Sequence, residues 1–201
     1  MAPPGPDGTG PAAQAIGARV GTALAIGLAL PALYGALTLK SGRLIWLGYS
    51  LLVLAGAAYL VFAYTEFGVI GVLVLVIIVV ISDTFGYFAG RLLGGPKFWP
   101  RVSPKKTWVG TVAGWIGAGA FGALVLGQSS PPLSATLAAI GLAFAGQMGD
   151  IAESALKRRV GVKDSSNLIP GHGGFLDRLD ALVAASALAG ALTLVYVIYS
   201  S

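Results

Sequence analysis

The chain has little of what a soluble protein carries on its surface. Charged residues make up only 10% of its 201 positions and apolar residues 56%, whereas an average soluble domain is about 25% charged and about 45–50% apolar. It has no cysteine, which excludes a disulfide framework, a thiolate metal site and a cysteine nucleophile. Its single histidine excludes a zinc cluster built on several imidazoles. The composition therefore favours a bundle of helices embedded in a lipid bilayer.

Long apolar runs predict how many helices the bundle has. A spanning helix needs about 20 mostly apolar residues, because each residue rises about 1.5 Å and the hydrocarbon core is about 30 Å thick. The prediction is an all-α, polytopic membrane helix bundle of about six transmembrane helices, near residues 13–39, 44–64, 67–90, 107–128, 133–156 and 176–199. Pro31 lies inside the first run and predicts that this helix bends or ends early.

The chain divides into three regions. Residues 1–12 are rich in proline and glycine and predict a flexible N-terminal tail. Residues 13–65 hold the N-terminal transmembrane helices. Residues 66–201 form a second transmembrane domain, which carries most of the charged residues and is the candidate catalytic domain.

The basic residues predict the orientation. All of the 13 lysines and arginines except Arg19 lie in or beside three loops, which follow the first, third and fifth predicted spans. With six spans, these loops fall on one side of the membrane, and the positive-inside rule makes that side cytoplasmic. We therefore expect a multi-pass protein of the inner (cytoplasmic) membrane, with both termini outside and its active site facing the cytoplasm.

The scarce acidic residues gather near the two larger basic loops. Six of the eight lie there, which are Asp83, Asp150, Glu153, Asp164, Asp177 and Asp180. Helical spacing places Asp83 on one face with Tyr87 and Arg91, and Asp150 on one face with Ser154 and Lys157. A plain alternative is that these carboxylates only neutralise neighbouring cations. Carboxylates are ligands that Mg²⁺ prefers, and the chain offers no thiolate and only one imidazole as competing ligands. The adjacent lysines and arginines can bind phosphates. The clusters therefore favour a phosphoryl or nucleotidyl transfer site.

Two segments carry further signs of phosphate binding. The glycines in 163–178, KDSSNLIPGHGGFLDR, permit a backbone nest for an anion at the start of the last helix. The segment SPKKTW, 103–108, is interpreted as a phosphate-binding start of the fourth helix, in which Ser103 and Thr107 are hydroxyl donors. The sequence has no Walker A motif, which excludes an ordinary P-loop.

As one string, residues 154–180 closely resemble the signature of the phosphatidate cytidylyltransferase family, also called CDP-diacylglycerol synthases. The resemblance continues upstream through Asp83, Tyr87, Gly90 and Arg91, then SPKKTW, then Gly149, Asp150 and Glu153, and covers about residues 66–199. Two features depart from the family pattern. Val109 stands where members often have an acid, and members usually have extra N-terminal spans, so the chain resembles a short or truncated member.

The resemblance implies a reaction in which CTP and phosphatidate give CDP-diacylglycerol and pyrophosphate, with Mg²⁺ and a second cation as candidate cofactors. It implies metal ligands at Asp83, Asp150, Asp177 and Asp180. The implied catalytic residues are Asp150, Lys157, His172, Asp177 and Asp180. The implied substrate-binding residues are Tyr87, Arg91, Ser103, Lys105, Lys106, Thr107, Ser154, Arg158, Lys163, Asp164, Gly173, Gly174 and Arg178. The lipid phosphate is already ionised at neutral pH, so His172 is assigned to phosphate binding or orientation.

Other functions stay open at this point. A CTP-dependent polyprenol kinase, or a cytidylyltransferase that acts on another lipid phosphate, needs similar cations. A small transporter could use inward-facing carboxylates as an ion path, although the charges gather at one face of the membrane and not at its midplane. The expected partners are CTP, phosphatidate, the bilayer and a second copy of the chain in a homodimer. We expect no nucleic-acid partner.

Overall fold

The structure is a computed structural model that describes residues 11–39, 42–128, 131–159, 161 and 176–200. Almost all of these residues are helical. The elements, in chain order, are α1 (Pro11–Thr38), α2 (Arg43–Leu92), β1 (Lys97–Trp99), β2 (Ser103–Thr107), α3 (Trp108–Leu124), a short 3₁₀ turn (Leu126–Gln128), α4 (Pro132–Arg159) and α5 (Leu176–Ser200). Each of the six predicted spans is therefore helical within a few residues of its predicted bounds.

In the described ranges, four helices are long and apolar enough to cross a membrane. They are Arg43–Leu92, Trp108–Gln128, Pro132–Arg159 and Leu179–Tyr199. These four confirm a polytopic membrane helix bundle. The described part of α1 contributes only a shorter apolar stretch, Ala29–Thr38, and α2 is one of the four long helices although two spans were predicted within it. The number of six spans therefore stays a prediction. Helix α1 also continues through Pro31 to Thr38, so the predicted early end is wrong.

Helix α2 reverses direction at Gly68. This residue has φ 63° and ψ −156°, a combination that only glycine adopts readily. A Cβ placed on Gly71 would lie 2.8 Å from the backbone oxygen of Ala63, although residues eight apart in a straight helix are separated by about 12 Å along its axis. The chain therefore folds back, and α2 consists of a first half before Gly68 and a second half after it.

Close backbone contacts fix the directions of the other helices. Gly86 lies against Gly110 and Ser82 against Gly114, so the second half of α2 runs antiparallel to α3. Gly149 lies against Asp180 and Gly141 against Leu188, so α4 runs antiparallel to α5. The centre of the bundle is correspondingly rich in alanine, with a core of Leu75, Ile78, Ala118, Ala139, Leu142, Ala143, Ala185 and Ala189. Small residues let membrane helices approach closely, which compensates for the weak hydrophobic drive between helices in lipid.

These directions bring the ends of several helices to one end of the bundle. There α1, α4 and the second half of α2 end, and α2, α3 and α5 begin. The described cations other than Arg19 lie at this end, which we call the basic end: Arg43, Arg91, Lys97, Arg101, Lys105, Lys106, Lys157, Arg158 and Arg159. The charge sorting predicted from the sequence therefore has a counterpart in the fold.

The segment before α3 corrects one prediction. Ser103–Thr107 is not the start of the fourth helix but an antiparallel strand paired with Lys97–Trp99. Helix α3 begins at Trp108, and the Thr107 side chain accepts a hydrogen bond from the Gly110 N–H at 3.1 Å. This hydroxyl therefore acts as the N-cap of α3 and connects the end of the hairpin to the first turn of the helix.

Candidate active site

A cavity of about 530 Å³ opens at the basic end, between the second half of α2, the hairpin, α3 and α4. Its charged lining consists of the cations Arg91, Lys97, Lys105 and Lys106 and the carboxylates of Asp83 and Asp150. Further lining residues are Ser82, Gly86, Tyr87, Gly90, Pro104, Thr107, Gly110, Thr111 and Gln147. The surplus of cations suits a ligand with several negative charges, such as a triphosphate or a lipid phosphate.

Lys106 is the most firmly held of these cations. Its Nζ lies 2.6 Å from Asp150 Oδ2 and donates to the backbone oxygen of Gln147 at 3.3 Å. An ammonium has three N–H donors, so one donor is available to a ligand in the cavity. Asp83 lines the same cavity and lies within the electrostatic influence of both Lys106 and Asp150.

Arg91 and Tyr87 form a second fixed pair on the wall of the cavity. The Arg91 guanidinium donates to the Tyr87 hydroxyl at 2.6 Å and lies over the Tyr87 ring, 5.9 Å from its centroid. The two residues are one helical turn apart, so α2 itself sets the contact. Further guanidinium N–H groups remain to bind an anion in a planar, two-point manner.

A second polar cluster lies next to the cavity, between α4 and α5. Glu153 is 3% exposed, and its Oε2 lies 3.1 Å from Lys157 Nζ. The Asp180 carboxyl lies near the carboxyls of Glu153 and Asp150, and its Oδ1 accepts the Ala181 N–H at 2.7 Å. Asp150 therefore stands between the cavity and this cluster.

The structure brings together many of the predicted site residues. The cavity lining contains seven of them: Asp83, Tyr87, Arg91, Lys105, Lys106, Thr107 and Asp150. Ser154 donates to Asp150 Oδ1 at 3.5 Å, and Lys157 and Asp180 belong to the adjoining cluster. Ser103 lies in β2 but does not line the cavity, and Arg158 is exposed near the end of α4.

The remaining predicted residues are beyond what the structure describes. Lys163, Asp164, His172, Gly173 and Gly174 lie outside the described residues. Asp177 and Arg178 lie in α5, but their side chains are outside the described part. The roles given to these seven residues stay predictions.

The donor set is compatible with Mg²⁺. Among the described residues, no three of histidine, cysteine, aspartate and glutamate gather as a metal site. Mg²⁺, however, usually takes one or two carboxylates and completes its shell with water and substrate phosphates. Asp83 and Asp150 supply two hard-oxygen side chains to one cavity, which fits that mode of binding.

Sequence reasoning missed several residues that shape the cavity. Lys97 adds a fourth cation, and Ser82, Thr111 and Gln147 form its polar inner wall. A sequence signal existed for Gln147, because it is an amide inside an apolar run and lies three residues before Asp150, on the same helical face. Its partners are 36 and 65 residues away along the chain, so local spacing could not reveal them.

Comparison with known proteins finds relatives that match much of the chain. A phosphatidate cytidylyltransferase of Brucella abortus biovar 1 (strain 9-941) is 44% identical over 157 residues, which cover 74% of this chain and 57% of that protein. The Helicobacter pylori (strain J99) phosphatidate cytidylyltransferase is 42% identical over 138 residues, 68% of this chain and 50% of that protein. A chloroplastic phosphatidate cytidylyltransferase 5 of Arabidopsis thaliana is 41% identical over 130 residues, 63% of this chain and 32% of the plant protein.

The chain thus spans about half the length of the bacterial relatives that it matches. The Cytidylyltransferase family model matches residues 13–197, nearly the whole chain. This match includes the helices that build the cavity and the signature string at 154–180, so the resemblance drawn from the motifs is confirmed. The chain belongs to the cytidylyltransferase family.

Proposed function

We propose that this chain transfers the cytidylyl group of CTP to phosphatidate, giving CDP-diacylglycerol and pyrophosphate. The observation that carries the proposal is the cavity at the basic end, where four cations and two carboxylates converge in a member of the cytidylyltransferase family. The relatives named phosphatidate cytidylyltransferase support phosphatidate as the acceptor.

The proposed reaction needs little acid–base chemistry. An ionised oxygen of the phosphatidate phosphate attacks the α-phosphorus of CTP, and the bond from that phosphorus to the oxygen bridging the α- and β-phosphates breaks. Pyrophosphate leaves with that oxygen and its electron pair. Since the attacking phosphate is already ionised, catalysis depends on positioning and on stabilising negative charge.

The cavity residues can perform both tasks. The available N–H of Lys106 and the guanidinium of Arg91 face the same space as Lys97 and Lys105, so they can hold the phosphates of two substrates near each other. Asp150 and the Gln147 carbonyl keep Lys106 in place. A positioned cation loses less entropy when it binds an anion and stabilises charge without reorganising.

We propose Mg²⁺ as the cofactor, with Asp83 and Asp150 as ligands on the cavity side and Asp177 and Asp180 on α5. A bound divalent cation supplies charge stabilisation for the phosphoryl oxygens and the leaving pyrophosphate. The paired state of Asp150 with Lys106 is compatible with this role, because an ammonium and a metal can share the two oxygens of one carboxylate.

The membrane arrangement follows from the same residues. We propose that α1, the two halves of α2, and α3, α4 and α5 make six spans, and that the basic end faces the cytoplasm at the inner membrane. CTP would then reach the cavity from water, and phosphatidate would reach it from the bilayer. A homodimer also stays a prediction.

The direct test incubates the purified protein in detergent with radiolabelled CTP, Mg²⁺ and, in separate reactions, phosphatidate, another lipid phosphate or a polyprenol. Thin-layer chromatography then separates the lipids. We expect a labelled CDP-lipid and an equal amount of pyrophosphate. If the protein phosphorylates a polyprenol instead, or leaves CTP intact with every lipid phosphate offered, the proposal is wrong.

A further inference from the structure

Gln147 is a polar side chain enclosed in the bundle, and its role is not explained by substrate contact. It is 6% exposed and lies inside an apolar stretch of α4. Its Nε2 donates to Ser82 Oγ at 3.0 Å and to the Thr111 backbone oxygen at 3.4 Å. Its Oε1 accepts the Trp115 indole N–H at 2.9 Å. One amide therefore connects α4 to α2 and α3.

These bonds leave the Gln147 amide with little capacity to bind a ligand. A primary amide has two N–H donors, and both are already used. A buried amide without partners would cost about 1–3 kcal/mol, so exchanging these partners for a base or a phosphate would gain little. Although Gln147 lines the cavity, its side chain is better suited to hold helices than to recognise nucleotide.

The surrounding backbone is shaped to admit this amide. A Cβ on Gly114 would lie 2.7 Å from Gln147 Nε2 and 2.7 Å from the Ser82 backbone oxygen. These separations are too short for a real side-chain carbon. The glycine in α3 therefore leaves the space in which the amide crosses between helices.

The backbone of the same residue contacts the cation in the cavity. The Gln147 carbonyl oxygen accepts from Lys106 Nζ at 3.3 Å, and Asp150, three residues later on α4, lies 2.6 Å from that atom. Both contacts move with α4. At the same level, the amide bonds to Ser82, Thr111 and Trp115 connect α4 to α2 and α3.

We propose that Gln147 is a positioning residue for the transfer reaction, which fixes the Lys106 ammonium in the cavity by locking α4 to α2 and α3. The inference rests on the proposed function. It assigns Gln147 an effect that operates through Lys106 and not through contact with either substrate. A displacement of about 1 Å at a reacting centre can cost about 100-fold in rate, so the expected loss is large for a residue that touches no reacting atom.

A double-mutant cycle tests this dependence. Gln147→Leu keeps much of the side-chain volume but removes all three hydrogen bonds, and Lys106→Met removes the ammonium. We expect Gln147→Leu to lower kcat by about 10- to 100-fold in the wild-type background but by less than about 3-fold when Lys106→Met is already present, because coupled sites are not additive. Equal losses in both backgrounds, or no loss in the first, would overturn the inference.

A pair of glycine variants provides a matched comparison that leaves Gln147 in place. Gly114→Ala places a methyl group against the Gln147 amide and its partner Ser82, where the amide joins the helices, whereas a Cβ on Gly141 would meet only Leu188 Cδ2 at 3.8 Å. We expect Gly114→Ala to reproduce the fall in kcat and its dependence on Lys106, and Gly141→Ala to retain kcat. If both glycine variants have the same kcat, the assignment is wrong.

Two further measurements separate the possible failures. Turnover by the wild-type protein in the same assay tests the proposed function. When the wild-type protein turns over, the double-mutant cycle tests the role of Gln147. Size exclusion and helical circular dichroism report folding. If Gln147→Leu does not fold, Ser82→Ala takes its place in the cycle, because it removes one partner at 3.0 Å from the amide. A loss of about 3-fold or more that disappears with Lys106→Met supports the inference, and any other result contradicts it.

Discussion

Lys106→Met removes the cation that the cavity holds most firmly. Its ammonium contacts Asp150 at 2.6 Å and the Gln147 carbonyl at 3.3 Å, which leaves one N–H for a substrate phosphate. A hydrogen bond between charged groups contributes about 1.5–3 kcal/mol, and each 1.36 kcal/mol changes a rate about tenfold. The expected fall in kcat/KM for CTP is therefore about 10- to 150-fold.

The substitution should affect stability much less than activity. The Asp150 side chain is 39% exposed, so its ion pair with Lys106 is screened by solvent and contributes at most about 1 kcal/mol. The substitution also removes the positive charge that offsets the Asp150 carboxylate, so the cavity repels an incoming triphosphate more strongly. The KM for CTP should consequently rise as kcat falls.

Initial rates of CDP-lipid formation, measured over a range of CTP concentrations, provide the assay. Arg101→Met is a matched control, because Arg101 is an exposed cation of the same hairpin that does not line the cavity. It should retain kcat/KM within about 2-fold, since long-range effects of one exposed charge are screened. Equal activities of Lys106→Met and Arg101→Met would refute the role given to Lys106.

Three other substitutions have defined outcomes. Gly110→Ala puts a Cβ against the Gly86 backbone oxygen and should cost about 1–3 kcal/mol of stability. Gly48→Ala is the control, because nothing lies within 4 Å of a Cβ there, and it should not lower the thermal midpoint. A lower midpoint for Gly48→Ala alone would contradict the packing. Thr107→Val removes the cap of α3 and should cost about 1 kcal/mol, measured by denaturant unfolding; an unchanged transition would argue against the cap. Asp177→Asn should abolish turnover while the helical circular dichroism stays at the wild-type level, and full activity would exclude Asp177 as a metal ligand.

The sequence predicted the helices well because apolar length is a strong signal in membrane proteins. It also placed Asp83 and Asp150 on helix faces that turned out to share a cavity. The break between residues 64 and 67 agrees with the reversal at Gly68, where positive φ requires glycine. These features depend on local composition and spacing, which a single sequence carries.

The hairpin and the amide network could not be predicted in the same way. Pro104 argues against a strand, since proline cannot donate to a ladder, but a two-stranded sheet has free edges that tolerate it. The partners of Gln147 lie on other helices, and Ser82 is separated from it by 65 residues. Both features depend on tertiary packing, which outweighs the local secondary-structure propensity of the sequence.

Cytidylyl transfer is measured most directly by following two labels of CTP in parallel reactions with the purified protein, phosphatidate and Mg²⁺. Cytidylyl transfer predicts that label at the α-phosphate moves into the lipid, whereas label at the γ-phosphate leaves in pyrophosphate. Label from the γ-phosphate in the lipid, with none from the α-phosphate, would identify a kinase and contradict the proposed cytidylyl transfer.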